Sequence, residues 1–251
     1  MNAPIKAYAE LFHLLFLRLF HQEIDPKLYA IKGGCNLRFF FGSVRYSEDL
    51  DLDVQIIQKG TLQNKVEKIL GGISLSRMLQ SYGIERIAFS SPKQTDTTQR
   101  WKIQLHTQAM SMPIATKIET SRRDKAFQPE LAAVSMELCQ AYHFGPIRLS
   151  HYSLQAAIAQ KVEALAYRSV TQARDVFDLY HLLHLTANEA PIVPGPETTQ
   201  SAEEALQGLS FQEYQSHVIS FLAEGQRIHF GDEAYWKAMI ETISVYLKGQ
   251  S

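Results

Sequence analysis

Residues 49–54 read DLDLDV, an alternation of acid and aliphatic that only an extended strand can sort cleanly. Successive side chains of a strand point to opposite faces, so Asp49, Asp51 and Asp53 share one face and Leu50, Leu52 and Val54 the other. The aliphatic face can anchor in a core, which leaves the carboxylates at fixed positions along its edge. Like charges that close repel one another unless something cationic stands among them. Shortly upstream, "LYAIKGG" reads as a short strand ending in a turn at Gly33 and Gly34, and "CNLRFFF" then fits a short helix.

Three arrangements suit such a strand. It can be an edge strand with a solvated, charged face. It can open a calcium loop, but that pattern needs glycine at its sixth position and glutamate at its twelfth, where this chain has Val54 and Gly60. Or it can hold magnesium for phosphoryl chemistry. Magnesium takes hard oxygen ligands, typically one or two carboxylates plus substrate phosphates. Aspartates two residues apart can hold two ions about 4 Å apart, astride an in-line displacement. A glycine pair just before them lets backbone amides approach a triphosphate closely.

The rest of the chain bounds the setting. Its 251 residues suit one large domain or two small ones. A net charge of -1 excludes a strongly basic nucleic-acid coat but allows a local basic patch. Cys35 and Cys139, the two cysteines, make neither a disulfide framework nor a zinc site and fit a reducing cytoplasm. The apolar run "YAELFHLLFLRLF" is interrupted or flanked by His13, Arg18 and His21 and is too short to span a bilayer. Leu11, Leu14, Leu15, Leu17 and Phe20 instead predict a docking helix over roughly residues 5–22; a membrane-surface helix is the alternative, which a polar face poor in lysine and arginine disfavours, and no membrane partner is expected.

"TLQNKVEKILGGISLSRMLQSYG" predicts helix weakened at Gly71 and Gly72. "IERIAFS", "RWKIQLHTQ" and "PIATKIET" predict three strands, with "SSPKQTDTTQ" as a loop or hairpin tip. After Arg123 the pattern turns helical, through "HYSLQAAIAQKVEALAYRSV" and "TQARDVFDLYHLLHL". "NEAPIVPGPETTQ" reads as a proline-rich linker or exposed loop, followed by helices near 201–224 and 232–248. The order predicts an α+β first half, residues 1–148, and a helical domain, residues 149–251.

"IKGGCNLRFFFGSVRYSEDLDLDV" resembles the nucleotidyltransferase signature of the AbiEii/AbiGii toxin family, within the DNA-polymerase-β-like superfamily. Gly33 and Gly34 match the glycine pair, Asp49 and Asp51 the paired acids, and Arg45 and Ser47 the run that precedes them. Cys35 stands where the family usually has threonine or serine, which weakens any phosphate-binding role for a hydroxyl there. The spacer of fourteen residues is long for the superfamily but usual for this branch. "TKIETSRR" resembles the strand carrying the third acid and assigns it to Glu119 rather than Gln104; the alternative is a strand-end glutamate paired with Arg122 or Arg123. "QKVEALAYRSVTQARDVFDL" resembles the family's helical motif at Lys161, Arg168, Arg174, Asp175 and Asp178. Lys161 and Arg168 lie seven apart on one helical face, able to grip phosphate oxygens; an ion-pair network with Arg174, Asp175 and Asp178 is the architectural alternative.

The resemblance implies a polymerase-β-like mixed sheet with flanking helices, followed by a helical bundle that completes the active site. It implies a metal-dependent nucleotidyltransferase that is the toxin of a bacterial toxin–antitoxin pair, with Mg2+ or Mn2+ on Asp49, Asp51 and Glu119. Asp49, Asp51, Glu119, Lys161 and Asp175 would be catalytic. Gly33, Gly34, Arg45, Ser47, Lys161, Arg168, Arg174 and Asp178 would bind the nucleoside triphosphate, and a turn hydrogen bond is the local alternative for Ser47. The implied acceptor is the 3′ end of tRNA and the implied partner an antitoxin, in the cytoplasm. Transfer to a small molecule or a protein hydroxyl, or a non-catalytic nucleotide-binding or interaction protein of the same fold, are the alternatives. Arg77, Arg86, Lys93, Arg100, Lys102, Lys117, Arg122, Arg123 and Lys125 would form an RNA track if they gather around the cleft. Trp101 offers a base-stacking platform or, alternatively, a core tryptophan.

Overall fold

Helix α1, Ile5–Glu23, carries more apolar surface than one stripe can hold, and the fold answers by burying nearly all of it. In the computed structural model, which describes residues 5–122, 126–186 and 194–249, Phe12, Leu14, Phe16, Leu17 and Phe20 have no exposed surface. The helix is therefore central to the core rather than a docking stripe, as expected of a helix that is apolar most of the way round. Its polar residues go in with it and are paired: Glu10 takes Arg38 at 2.6 Å and the Tyr142 hydroxyl at 2.7 Å. Among the described residues no helix is long and apolar enough to cross a membrane.

Against α1 lies one mixed sheet of seven strands in the order β3-β4-β5-β2-β1-β7-β6. Its strands are β1 (Tyr29–Lys32), β2 (Leu50–Val54), β3 (Ile84–Gln94), β4 (Thr98–Thr107), β5 (Ile114–Arg122), β6 (Glu130–Ala133) and β7 (Arg148–His151). The acidic strand β2 is the middle of this sheet, parallel to β5 on one side and antiparallel to β1 on the other, which removes the edge-strand reading. Asp49 stands one residue before the strand begins.

Three local expectations change. The β3–β4 hairpin runs further than the polar stretch suggests, with only Thr95–Thr97 left as its tip. Pro92 is accommodated because β3 is an edge strand whose register shifts between Ser90 and Lys93, where no amide is needed. The helix expected through Gly71 and Gly72 is two helices, α3 (Lys59–Leu70) and α4 (Ile73–Gln80). A Cβ on Gly72 would lie 2.8 Å from the Lys68 carbonyl, so the break requires glycine there. The chain after Arg123 is not all helix: β6 and β7 complete the sheet, with α5 (Met136–Ala141) between them. Each strand is four residues long, too short for a period to show, and β7 is recruited by its parallel pairing with β1.

The chain divides into two compact units. The first comprises Met1–Phe40 and Tyr46–Tyr152 and holds the sheet; the second comprises Phe41–Arg45 and Ser153–Ser251. The second is helical: α6 (Leu154–Tyr167), α7 (Ala173–His184), α8 (Pro196–Gln207), α9 (Phe211–His217), α10 (Glu224–Phe230) and α11 (Glu233–Leu247). The helix expected over 201–224 is thus several. The α8 helix starts at Pro196, inside the expected linker, because proline suits a first helical position, and it stops at Gly208. Residues 188–193 of that linker lie outside the described residues. A new start follows at Ser210, which forms a full capping box with Glu213. Tyr214 stacks on Trp236 of α11 at 4.9 Å and donates to the Phe230 carbonyl at 2.9 Å, which closes this unit's core.

Candidate active site

The first cluster grows from the centre of the sheet. Helix α2, Gly33–Phe40, starts at Gly33 itself, so the glycine pair is the helix's first turn rather than a turn before it. Gly33 has φ of +63°, and a Cβ there would meet Asp51 Oδ2 at 3.3 Å. Glycine thus brings backbone against Asp51, where first-turn amides have no partner within the helix and favour an anion.

Strand register supplies the acids. Asp51 on β2 is directly opposite Glu119 on β5, and Lys32 on β1 is opposite Asp51 on the other side. Burial pushes the Asp51 carboxyl up; the charges of Asp49 and Glu119 add to this, and Lys32 and Lys117 oppose it. Asp49 holds Lys117 at 3.0 Å, and Glu119 holds Arg100 at 2.6 Å. Among the described residues no side chain hydrogen-bonds or ion-pairs with Asp51, so it is the open carboxylate of the three. Glu119 therefore pairs with Arg100 on the neighbouring strand, not with Arg122, whose guanidinium is spent on the Ile57 and Asp96 carbonyls and the Gln99 side chain.

Asp53 differs from its two neighbours in the motif. It is fully buried and takes Lys32 at 2.6 Å and the Tyr152 hydroxyl at 2.8 Å. Lys32 also donates to Ser121 Oγ at 3.3 Å. Asp53 is thus tied into the core, and its cation, Lys32, comes from the residue opposite Asp51.

The backbone that carries Asp49 is held from beneath. Thr116 Oγ1 donates to the Glu48 carbonyl at 2.7 Å, and His13 Nε2 lies 2.7 Å from Thr116 Oγ1. Since the hydroxyl proton goes to Glu48, the ring N–H must be the donor to Thr116. The Asp49 carbonyl accepts from Ser47 Oγ at 2.9 Å and Cys35 Sγ at 3.3 Å, with His13 Nδ1 3.7 Å from the same sulfur. Burial drives His13 down to about 3 and Cys35 well up, so the ring is neutral and the thiol protonated. Cys35 points into the core at the Asp49 peptide. Nothing in the sequence joined His13, Cys35 and Thr116; only their meeting in space does.

Metal fit can be judged from the donors. Asp49, Asp51 and Glu119 offer only hard carboxylate oxygens, the type magnesium and manganese prefer. Among the described residues no three His, Cys, Asp or Glu side chains already converge as a ready metal cluster. The set fits in chemistry, while two of its three members are engaged by Lys117 and Arg100.

The same sheet face carries the basic residues. Cross-strand pairs Arg86–His106, Lys93–Arg100, Lys102–Lys117 and Arg100–Glu119 set Arg86, Lys93, Arg100, Lys102, Lys117 and His106 on the face that bears Asp51 and Glu119. Arg77 instead lies in the last turn of α4. Arg123 and Lys125 lie outside the described residues. Trp101 is fully buried, with its indole N–H 3.4 Å from Glu67, which rules out a stacking platform.

The second cluster belongs to the helical unit. Lys161 on α6 reaches Asp175 at 2.9 Å and Asp178 at 2.7 Å, one helical turn apart on α7. Arg45 grips Asp178 with two nitrogens, at 3.0 and 2.8 Å. Arg168 is not on a helical face with Lys161: α6 ends at Tyr167 and Arg168 is its extended cap, from which it still reaches Asp175 at 3.2 Å. Arg174 is half-buried on α7. Burial alone would raise the Asp178 carboxyl, but Arg45 and Lys161 reverse this and hold it far below the usual range. Burial likewise disfavours the Lys161 charge, and Asp175 and Asp178 outweigh it, so Lys161 stays a cation.

The profile of a family described as "Nucleotidyl transferase AbiEii toxin, Type IV TA system" matches residues 13–244. No curated protein matches. Among solved structures the chain resembles MenT4, a nucleotidyltransferase toxin from Mycobacterium tuberculosis, with a TM-score of 0.68 at 20% identity over 97% of this chain and 84% of that one. It also resembles JHP933 from Helicobacter pylori, with a TM-score of 0.53 at 18% identity over 97% and 94% of the two chains. At these identities the structural likeness speaks for the fold alone.

Proposed function

The chain belongs to the AbiEii nucleotidyltransferase toxin family, and on that premise we propose that it transfers a nucleoside monophosphate from a nucleoside triphosphate to the 3′ end of tRNA. It is a nucleotidyltransferase toxin of a type IV toxin–antitoxin system, a class that generally uses a divalent metal. In our reading Asp49, Asp51 and Glu119 would hold Mg2+ or Mn2+, which when bound would neutralise carboxylates and phosphates. The acceptor hydroxyl attacks the α-phosphorus, a new P–O bond forms, the bond to the β-phosphate oxygen breaks, and pyrophosphate leaves. Glu119 helps take the hydroxyl proton. The amides of Gly33 and Gly34 receive phosphate oxygens, and Ser47 fixes the Asp49 peptide.

The observation that carries this reading is the register that sets Asp51 opposite Glu119, with the Gly33 backbone against Asp51. The basic face continuing from those acids favours a polyanionic acceptor over a small molecule. For the helical unit we propose that Lys161 stabilises triphosphate charge and Asp175 orients it, with Arg45, Arg168, Arg174 and Asp178 as nucleotide-binding residues. The buried ion pairs of this cluster favour a second, architectural reading, which loss of fold rather than of chemistry in Lys161→Met would support. The enzyme would work in the cytoplasm, restrained by its antitoxin.

Incubation with each labelled nucleoside triphosphate, magnesium and total RNA tests the proposal. Label is expected in tRNA with wild type and not with Asp49→Asn. Bound nucleotide with no transferred label would overturn it.

A further inference from the structure

Two of the three acids in the first cluster are already occupied by the protein's own cations. Lys117 Nζ lies 3.0 Å from Asp49 Oδ2, and Arg100 Nε 2.6 Å from Glu119 Oε2. Both cations are about a third exposed, at 34% each, so neither pair is sealed in the core. Both pairs are partly buried yet still reached by solvent, which screens them and keeps their contribution to stability modest, so holding the sheet together does not by itself account for them. Their placement is nonetheless determined. Arg100 is opposite Glu119, Glu119 is opposite Asp51, and Lys117 is two residues before Glu119 on the same strand face. Three carboxylates on one face need countercharge, and here Lys117 and Arg100 supply it.

Each of these cations takes up a carboxylate oxygen that a divalent ion would also use. A divalent ion brought to the same oxygens repels them, because like charges a few ångströms apart interact strongly near a protein surface. A lysine on a flexible stem and an arginine fork can both turn to a phosphate. We propose that Lys117 and Arg100 are exchangeable cations. They neutralise Asp49 and Glu119 while those acids lack a divalent ion, and they contact phosphate oxygens of the nucleoside triphosphate once the acids are taken. This inference rests on the metal-dependent reading above. No covalent bond changes in the exchange. The same two side chains thus oppose metal binding and support nucleotide binding.

That double role predicts two effects of opposite sign. In Lys117→Met, removing the competing charge is expected to raise Mn2+ affinity about threefold or more, while the triphosphate concentration for half-maximal transfer rises about tenfold. Arg100→Met should change both quantities in the same directions. Lys117→Arg, which keeps the charge, should bring both back towards wild type. Mn2+ binding is read on nucleotide-free protein by the electron paramagnetic resonance signal of free Mn2+, independently of activity, with thermal melts of each variant to confirm folding. Asp49→Asn separates the two layers. If it binds Mn2+ as wild type does, the metal reading of these acids fails. If it loses binding while Lys117→Met binds no more tightly than wild type, the exchange fails and the metal reading stands. Tighter Mn2+ binding by Lys117→Met with an unchanged triphosphate requirement overturns the phosphate contact.

Discussion

Asp49, Asp51 and Asp53 look equivalent along the chain and do three different things. Asp49 meets Lys117, Asp51 is open against the Gly33 backbone at the start of α2, and Asp53 is buried on Lys32 and Tyr152. Removing one partner of such a buried pair leaves a charge without compensation, so Asp53→Ala should cost about 3–5 kcal/mol, measured by urea unfolding. Thr116→Val keeps the shape of the side chain but removes the donor to the Glu48 carbonyl. Transfer should fall roughly ten- to hundredfold through misplacement of Asp49, and Thr116→Ser should recover it in single-turnover assays. His13 has a pH consequence whose sign is set by burial. Its folded value is about 3 against 6.5 ordinarily, so between those values the unfolded chain binds the proton that the folded chain refuses. Its contribution is fully present above pH 6.5 and is lost as pH falls towards 3, at up to about 1.4 kcal/mol per unit. Stability measured against pH should therefore lose that part of its slope in His13→Gln.

At the scale of elements, periodic stretches announced themselves and short ones did not. Helix α1 was legible from Leu11, Leu14, Leu15, Leu17 and Phe20, because nineteen residues span enough turns for the period to repeat. Its full burial was not legible, since burial depends on what covers the second face. Phe16 touches Phe12 and Phe20 and has no exposed surface, so Phe16→Ala should cost about 3–5 kcal/mol in denaturant unfolding. Strands β6 and β7 stayed hidden because four residues hold too few alternations, and the partner of β7 is β1, more than a hundred residues earlier in the chain. The end of α6 at Tyr167 was missed for a related reason. The spacing of Lys161 and Arg168 fits a helix, yet the chain leaves it at Arg168 and the guanidinium finds Asp175 from outside.

For the molecule as a whole, the family assignment is what ties chemistry to biology. As the toxin of a pair, the protein should arrest growth when expressed alone. Asp51→Asn, which keeps shape and removes charge at the open carboxylate, should relieve the arrest at equal protein level, judged by colony counts and immunoblot. Arrest that persists in the variant would separate toxicity from transfer.

By itself the sequence determined the parity of the acidic strand, the glycine pair before it, the helices long enough to repeat and the family to which the chain belongs. These are local or near-local properties, set by side-chain direction and backbone freedom within a few residues. Only the tertiary structure decided that β2 lies in the middle of the sheet, that Asp51 faces Glu119, and that Lys117, Arg100 and Lys32 divide the acids among them. The reason is that parity says which residues share a face but not which strands lie alongside. Those neighbours come from residues about 20 positions earlier and nearly 70 later, joined by pairings that no spacing along the chain records.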